Sequence, residues 1–187
     1  MTALPDLNAA FEAAGLLDVA YTLTDSPVGR LLLASTATGV VRLAYLDAGQ
    51  SEDSVLSELA AKLSPRVLAA PRRLDPVLRE LDDFFQGRLT RFTVPLDWTL
   101  TGAGFRQRVL RATNLVPYGQ TTTYRELATQ AGSVNAYRAA GNAVGSNPLP
   151  IIVPCHRVLH SSGGLGGYTG GLDRKRTLLT VEGHQLR

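Results

Sequence analysis

Residues 123–145, Thr123-Tyr124-Arg125-Glu126-Leu127-Ala128-Thr129-Gln130-Ala131-Gly132-Ser133-Val134-Asn135-Ala136-Tyr137-Arg138-Ala139-Ala140-Gly141-Asn142-Ala143-Val144-Gly145, read as two short helices about a tight turn. Thr123 and Glu126 have the Ser/Thr-x-x-Glu spacing of a capping box, in which each side chain serves an orphan backbone N–H at a helix start. The spacing predicts one helix from Thr123 to about Ala131, stopped by Gly132, and a second from about Asn135 to Gly145. Such a pair is compatible with a helix-turn-helix, and pairs of short helices also occur in many other folds. The second helix is nearly bare of large side chains, with Ala136, Ala139, Ala140, Gly141, Ala143 and Gly145 along it. Each interior glycine costs about 1 kcal/mol against alanine. A bare surface admits another backbone, either a neighbouring helix or a nucleic-acid groove. Arg138 is its one long cation, either a solvated surface arginine or one that inserts into DNA.

Downstream, Asn147-Pro148-Leu149-Pro150-Ile151-Ile152-Val153-Pro154 cannot be helical, because three prolines fall in eight residues. The segment is expected to be extended and buried, with Asn147 capping the helix before it or bracing the turn. It delivers Cys155, the single cysteine of the chain, inside Pro154-Cys155-His156-Arg157-Val158. One thiol excludes an internal disulfide. It is either an inert buried thiol or a nucleophile, whose thiolate fraction nearby cations or a histidine would raise. Beyond it, six of the 18 glycines fall within residues 163–171. That loop could offer backbone donors to a flat ligand, with Tyr168 as a wall, or be a plain surface loop. It has neither a Walker lysine nor a dinucleotide-binding fingerprint in register. Leu172 to Val181 reads as a final helix before Glu182-Gly183.

Upstream, Phe105 to Leu115 reads as a helix, and the chain divides near residue 100. Before that point Tyr21-Thr22-Leu23, Leu31-Leu32-Leu33-Ala34 and Val40 to Tyr45, separated by turn signals, predict a three-stranded antiparallel meander. Helices follow over Ser54–Leu63 (Val55, Leu56, Leu59 and Leu63 inward) and Leu74–Phe85 (Leu78, Leu81 and Phe85 inward). A short edge strand is expected around Phe92–Leu96. No catalytic constellation occurs in this half, which reads as scaffold. The chain of 187 residues is 44% hydrophobic and 19% charged, an ordinary globular composition. Residues 1–100 hold nine Lys and Arg against 13 Asp and Glu, whereas residues 101–187 hold 10 against three. A basic half beside an acidic one is the footprint of a polyanion-binding domain, or a solvated basic surface. The three histidines and one cysteine show no Cys/His zinc-ligand spacing, and no run of residues is apolar enough for a membrane span. A lone thiol, and a start without the basic region of a leader, predict a cytoplasmic protein.

The cysteine pentapeptide resembles the O6-alkylguanine-DNA alkyltransferase family. It is preceded by Asn147-Pro148 and followed by Tyr168-Thr169-Gly170-Gly171-Leu172 and Glu182-Gly183. The similarity spans about residues 101–183; the N-terminal half agrees in general plan. The resemblance implies two domains. Residues 1–100 would form an RNase H-like α/β scaffold, a small antiparallel sheet with helices. Residues 101–187 would form a mostly α DNA-binding and alkyl-acceptor domain with a helix-turn-helix. It also implies a suicidal repair reaction on duplex DNA, with O6-alkylguanine as substrate and no metal or cofactor. Cys155 would accept the alkyl group, His156 would take its proton, Glu182 would orient the imidazole and Asn147 would brace the turn. Tyr124 would donate toward the ring nitrogen. The Cys155 and Val158 carbonyls would receive the exocyclic amine, the Thr169 amide would face O6 and Tyr168 would line the pocket. Arg138 would fill the gap left by the flipped base, with Ala139 and Gly141 admitting the groove. Arg106, Arg108, Arg125 and Arg174 are phosphate-contact candidates. The protein is expected to act as a monomer, singly or in cooperative array on DNA.

Three features depart from the family pattern. Thr169 stands where serine is usual, Tyr137 where a small residue is typical, and the N-terminal half lacks the zinc ligands of some members. Two rival classes are a lesion-binding sensor without transfer, against which Cys155 argues, and a cysteine hydrolase, in which a basic helix pair has no role. Beside O6-alkylguanine, O4-alkylthymine is a second candidate substrate under the same resemblance.

Overall fold

The computed structural model describes residue 11, residues 14–47 and residues 49–184. The first ten residues, read above against a leader, lie outside the described residues. The chain separates into two compact units, one of residues up to 79 with residues 94–97, the other of residues 80–93 with residues from 98 onward.

The first unit is built on β1 (Val19–Thr24), β2 (Leu31–Ser35) and β3 (Val40–Tyr45), the expected meander. Both pairs are antiparallel, with Leu23 opposite Leu32 and Leu33 opposite Leu43. Every residue of β2 is buried, which is why it reads as a continuous apolar run rather than an alternating one. Helix α1 (Glu52–Lys62) is capped by Ser51, carries Glu52 and Asp53 in its first turn and Lys62 in its last, and so complements the helix dipole. It buries Val55 and Leu59, while Leu56 and Leu63 are half-buried.

Two details differ from expectation. A fourth strand, β4 (Val67–Ala69), runs parallel to β1 in the order β3-β2-β1-β4, so the sheet is mixed. Three residues are too few to carry a periodic signal. The expected edge strand around Phe92–Leu96 is reduced to one bridge between Val40 and Leu96. Pro95 has no N–H to extend the ladder, but its carbonyl accepts from the Val40 N–H at 2.9 Å. Gly39 (φ 154°) is required there, since a Cβ would sit 2.3 Å from the Pro95 oxygen.

Helix α2 (Asp75–Phe85) buries Val77, Leu81 and Phe84, and leaves Leu78 and Phe85 half-buried, one residue out of phase with the expected face. Residues 77, 81 and 84 form one stripe at helical spacing, and Leu78 and Phe85 lie on its flank.

In the second unit, α3 (Phe105–Asn114), α4 (Tyr124–Gln130) and α5 (Tyr137–Gly145) enclose Val109, Leu127, Ala140 and Val144. Cys155 and Val158 belong to the same core. The capping box at Thr123 is present in both directions. Helix α4 ends in a left-handed glycine turn, with Gly132 at φ 82° and the Ser133 N–H returning to the Ala128 carbonyl at 2.8 Å. Strands β5 (Thr122–Thr123) and β6 (Val158–Leu159) pair in parallel, tying the start of α4 to the residues just after the thiol. Helix α6 (Leu172–Val181) closes the unit with the limits its sequence predicted. Among the described residues no helix is long and apolar enough to cross a membrane.

Candidate active site

The turn that carries Cys155 is buried but not extended. The Val153 N–H bonds the Leu149 carbonyl at 2.8 Å, Ile152 N–H the Pro150 carbonyl at 2.9 Å and Cys155 N–H the Val153 carbonyl at 2.8 Å. The prolines exclude helix, as predicted. The backbone groups that a neighbouring strand would satisfy are taken by these turns and by Asn147. Its Nδ2 donates to the Val153 carbonyl at 2.8 Å and its Oδ1 accepts from the Leu149 N–H at 3.0 Å. Ile151 is held at φ 71°, a left-handed conformation that costs a β-branched residue on the order of 1–3 kcal/mol. Such strain persists only where the surroundings over-determine it.

Cys155 begins a single 3-10 turn, Cys155–Arg157, and is 3% exposed. Behind it His156 is fully buried, its Nε2 2.8 Å from Glu182 Oε1. An ionised carboxylate accepts, so Nε2 carries the hydrogen and Nδ1 presents a lone pair. Nδ1 has no hydrogen-bond partner among the described residues. Glu182 also accepts from Arg157 Nε at 3.0 Å, from Nη2 at 2.8 Å and from the Gly119 N–H at 3.2 Å. Arg157 Nη1 donates to the Val116 carbonyl. Burial alone would raise the Glu182 carboxyl, but hydrogen bonds from His156 and Arg157 hold it well below the usual carboxylate range. Burial lowers the His156 pKa despite Glu182, with Arg157 and Lys175 adding to the fall.

The sequence pointed to nearby cations as activators of the thiol, and the structure corrects this. Burial pushes the Cys155 thiol up, partly offset by hydrogen bonds from Asn147 and Tyr168 and by the charge of Lys175. Arg157 is turned onto Glu182 and does not serve the sulfur. Lys175, on α6, went unnoticed because its sequence position looks like a solvated helix face. Its side chain is fully buried, and Nζ donates to the Val158 carbonyl at 2.6 Å and to the Leu165 carbonyl. Burial pulls its pKa down from 10.5 to about 8.

Cys155 opens onto a cavity of about 640 Å³, shared with the predicted Tyr124, Arg138, Gly141, Tyr168 and Thr169. Asn147, His156, Val158 and Glu182 are buried behind this surface, and Ala139 is exposed on α5. Burial and the neighbouring Cys155 raise the Tyr124 hydroxyl pKa, so it stays a donor at neutral pH. His160, missed in the sequence, packs against Tyr124 with ring centroids 5.5 Å apart. A Cβ at Gly166 would lie 2.9 Å from the Tyr124 hydroxyl and 3.3 Å from His160 Nε2, so glycine there keeps the pocket open. Thr169 uses its hydroxyl on the Gly145 carbonyl at 2.5 Å, which turns the side chain to the end of α5.

The phosphate-contact candidates divide. Arg106 is spent on the Leu100, Thr101 and Ser146 carbonyls and the Ser146 hydroxyl, Arg108 on the Ala131 carbonyl and Arg174 on that of Gly170. Among the described residues Arg125 makes no such bond, and its guanidinium lies over the Tyr137 ring.

With this geometry in hand, comparison with known proteins is specific. Residues 104–184 match the family described as 6-O-methylguanine DNA methyltransferase, DNA binding domain, and residues 19–98 match its ribonuclease-like domain. The chain is 42% identical over 164 residues to the methylated-DNA--protein-cysteine methyltransferase of Mycolicibacterium paratuberculosis, covering 88% of this chain and 92% of that one. It is similar to the crystal structure of Mycobacterium tuberculosis O6-methylguanine methyltransferase, with TM-score 0.75, 41% identity, and 88% and 92% of the two chains covered. It is also similar to Mycobacterium tuberculosis OGT crystallised in complex with DNA, with TM-score 0.74, 40% identity, and 87% and 92% covered.

Proposed function

That this chain belongs to the 6-O-methylguanine DNA methyltransferase family is the premise from which we propose that it repairs DNA by moving the alkyl group of O6-alkylguanine irreversibly onto its own Cys155. The observation that carries the mechanism is the buried His156–Glu182 pair, which leaves Nδ1 as a base beside the thiol turn. Thiol and imidazole are both neutral at rest, since burial raises one pKa and lowers the other. Through a bridging water, the Sγ proton passes to Nδ1. The resulting imidazolium is stabilised by Glu182, which is already ionised, and the thiolate by the Lys175 charge.

The thiolate attacks the alkyl carbon, so an S–C bond forms as the C–O6 bond breaks and its electron pair withdraws into the purine. Tyr124 donates toward the ring nitrogen and the Thr169 amide faces O6. The Val158 and Cys155 carbonyls receive the exocyclic amine. Each already accepts one bond, from Lys175 and from the Val158 N–H, and each oxygen has a second lone pair. The proton held by the His156 imidazolium then passes through water to the guanine, which stays in the strand, and the alkyl group remains on sulfur. A thioether has no route back, so one protein repairs one lesion.

DNA is the partner. The lesion leaves the stack at a cost of a few kcal/mol, less for a damaged base. Helix α5 enters the groove, with Ala139 and Gly141 admitting the backbone and Arg138 filling the vacated place. Residues 1–100 act as scaffold and residues 101–187 as the DNA-binding and acceptor domain, a division supported by family matches that stop at 98 and resume at 104. The protein acts as a monomer, and a thiol that must stay reduced suits the cytoplasm.

Intact-protein mass spectrometry after incubation with duplex DNA holding O6-methylguanine tests the reading. One methyl is expected on Cys155, retained at all later times, and Cys155→Ala should bind the duplex without gaining mass. An unchanged wild-type mass with tight, lesion-dependent binding would overturn transfer in favour of a sensor.

A further inference from the structure

Tyr137 is the first residue of α5 and 41% exposed. Two guanidinium groups lie on its ring. Arg138 Cζ is 5.8 Å from the ring centroid and Arg125 Cζ, from the first turn of α4, is 5.4 Å from it. Both distances fall within the reach of a cation–π attraction. Among the described residues neither arginine is bonded to a carboxylate, and Glu126, the nearest acid in sequence, is committed to Thr122 and Thr123. All three side chains border the cavity that Cys155 opens onto. An exposed arginine has many rotamers, and inserting it into a base stack costs most of that freedom. A ring that holds the guanidinium beside the pocket removes part of that cost before DNA arrives.

We propose that Tyr137 is a positioning residue for Arg138: its ring holds the guanidinium at the pocket mouth, so that a base rotating out of the duplex meets a preformed plug. This rests on the reading of Arg138 as the gap-filling residue. Arg125, held on the same ring and bonded to no carboxylate among the described residues, keeps the cluster's charge available to DNA phosphate. The small residues of α5 leave Tyr137 as the only ring on that helix able to do this.

Single-turnover transfer from an O6-methylguanine duplex, at saturating DNA, tests the proposal in a double-mutant cycle. Tyr137→Ala should slow transfer about two- to five-fold, the span of an exposed cation–π contact. Tyr137→Phe, which keeps the ring, should retain the wild-type rate within about two-fold. In an Arg138→Ala background, Tyr137→Ala should cause no further loss, because the effect acts through the arginine. An unchanged rate for Tyr137→Ala overturns the proposal, as does an equal loss in both backgrounds. Wild-type transfer is measured alongside, so failure of the repair reading appears separately, as no alkylated protein at all.

Discussion

In the sheet unit the fully buried side chains include Leu31, Leu32, Leu33, Val41, Leu43, Val55 and Leu59, with Asp97 the only buried charged residue among those described. The second unit buries His156, Arg157, Lys175 and Glu182 within a core that also holds Cys155. Apolar burial stabilises at about 25 cal/mol per Å². Burying charge costs several kcal/mol per ion unless partners and hydrogen bonds offset it. The first interior is therefore organised for stability. In the second, apolar helices hold a network that would be a liability without its chemistry. Its internal bonding shows how the cost is met. Glu182 is paired twice over and Lys175 is bonded to two carbonyls.

The sharpest way to break this contrast is Glu182→Gln. It leaves Arg157 without a counter-charge and His156 without its anchor. A loss of about 3–5 kcal/mol in unfolding free energy is expected, as for a buried pair missing one partner. Single-turnover transfer by the protein that remains folded should fall on the order of 100-fold or more, as when an orienting carboxylate is removed. Denaturant titration and mass-detected transfer read the two effects, and a stable, fully active variant would show that the network is incidental. Leu32→Ala in β2 should lose about 2–5 kcal/mol. Its transfer rate, measured well below its melting temperature, should match wild type. A slowed rate at that temperature would mean the sheet unit does more than support.

Lys175→Met is the gentler probe. With the ammonium gone, the thiol pKa rises further, and alkylation of Cys155 by iodoacetamide at pH 7 should be slower than in wild type. The same variant reports on stability. Lys175 titrates near 8 when folded and near 10.5 when unfolded, so between those values the unfolded chain binds the extra proton. Wild-type stability should therefore gain from this residue as pH rises from about 8 to 10.5, and the gain should be absent in Lys175→Met. Identical pH profiles for the two proteins would place the lysine outside the buried network.

Most of the scaffold was legible because it rests on local pattern. The meander follows from apolar runs and turn residues, α4 from a capping box that the structure contains in both directions, and α6 from its stop at Glu182-Gly183. What escaped was whatever depended on a distant partner. Strand β4 exists because β1 is there to receive it. The segment 147–154 is turned rather than extended because one side-chain amide, that of Asn147, replaces a neighbouring strand. Arg157 looked like an activating charge beside the thiol and Lys175 like an ordinary helix-face lysine, and the burial of both is set by carbonyls and a carboxylate up to 41 positions away.

By itself the sequence determined the α/β first half and the helix pair of the second, and it narrowed the candidates for a nucleophilic thiol to one, since its lone cysteine has no internal disulfide partner. Only the tertiary structure decided how that thiol is governed. Cations adjacent in sequence do not activate it; burial raises its pKa, one remote lysine pulls it back, and the histidine beside it is aimed by Glu182. A pKa depends on the solvent a group loses and the charges it gains in three dimensions, and neither follows from neighbours along the chain.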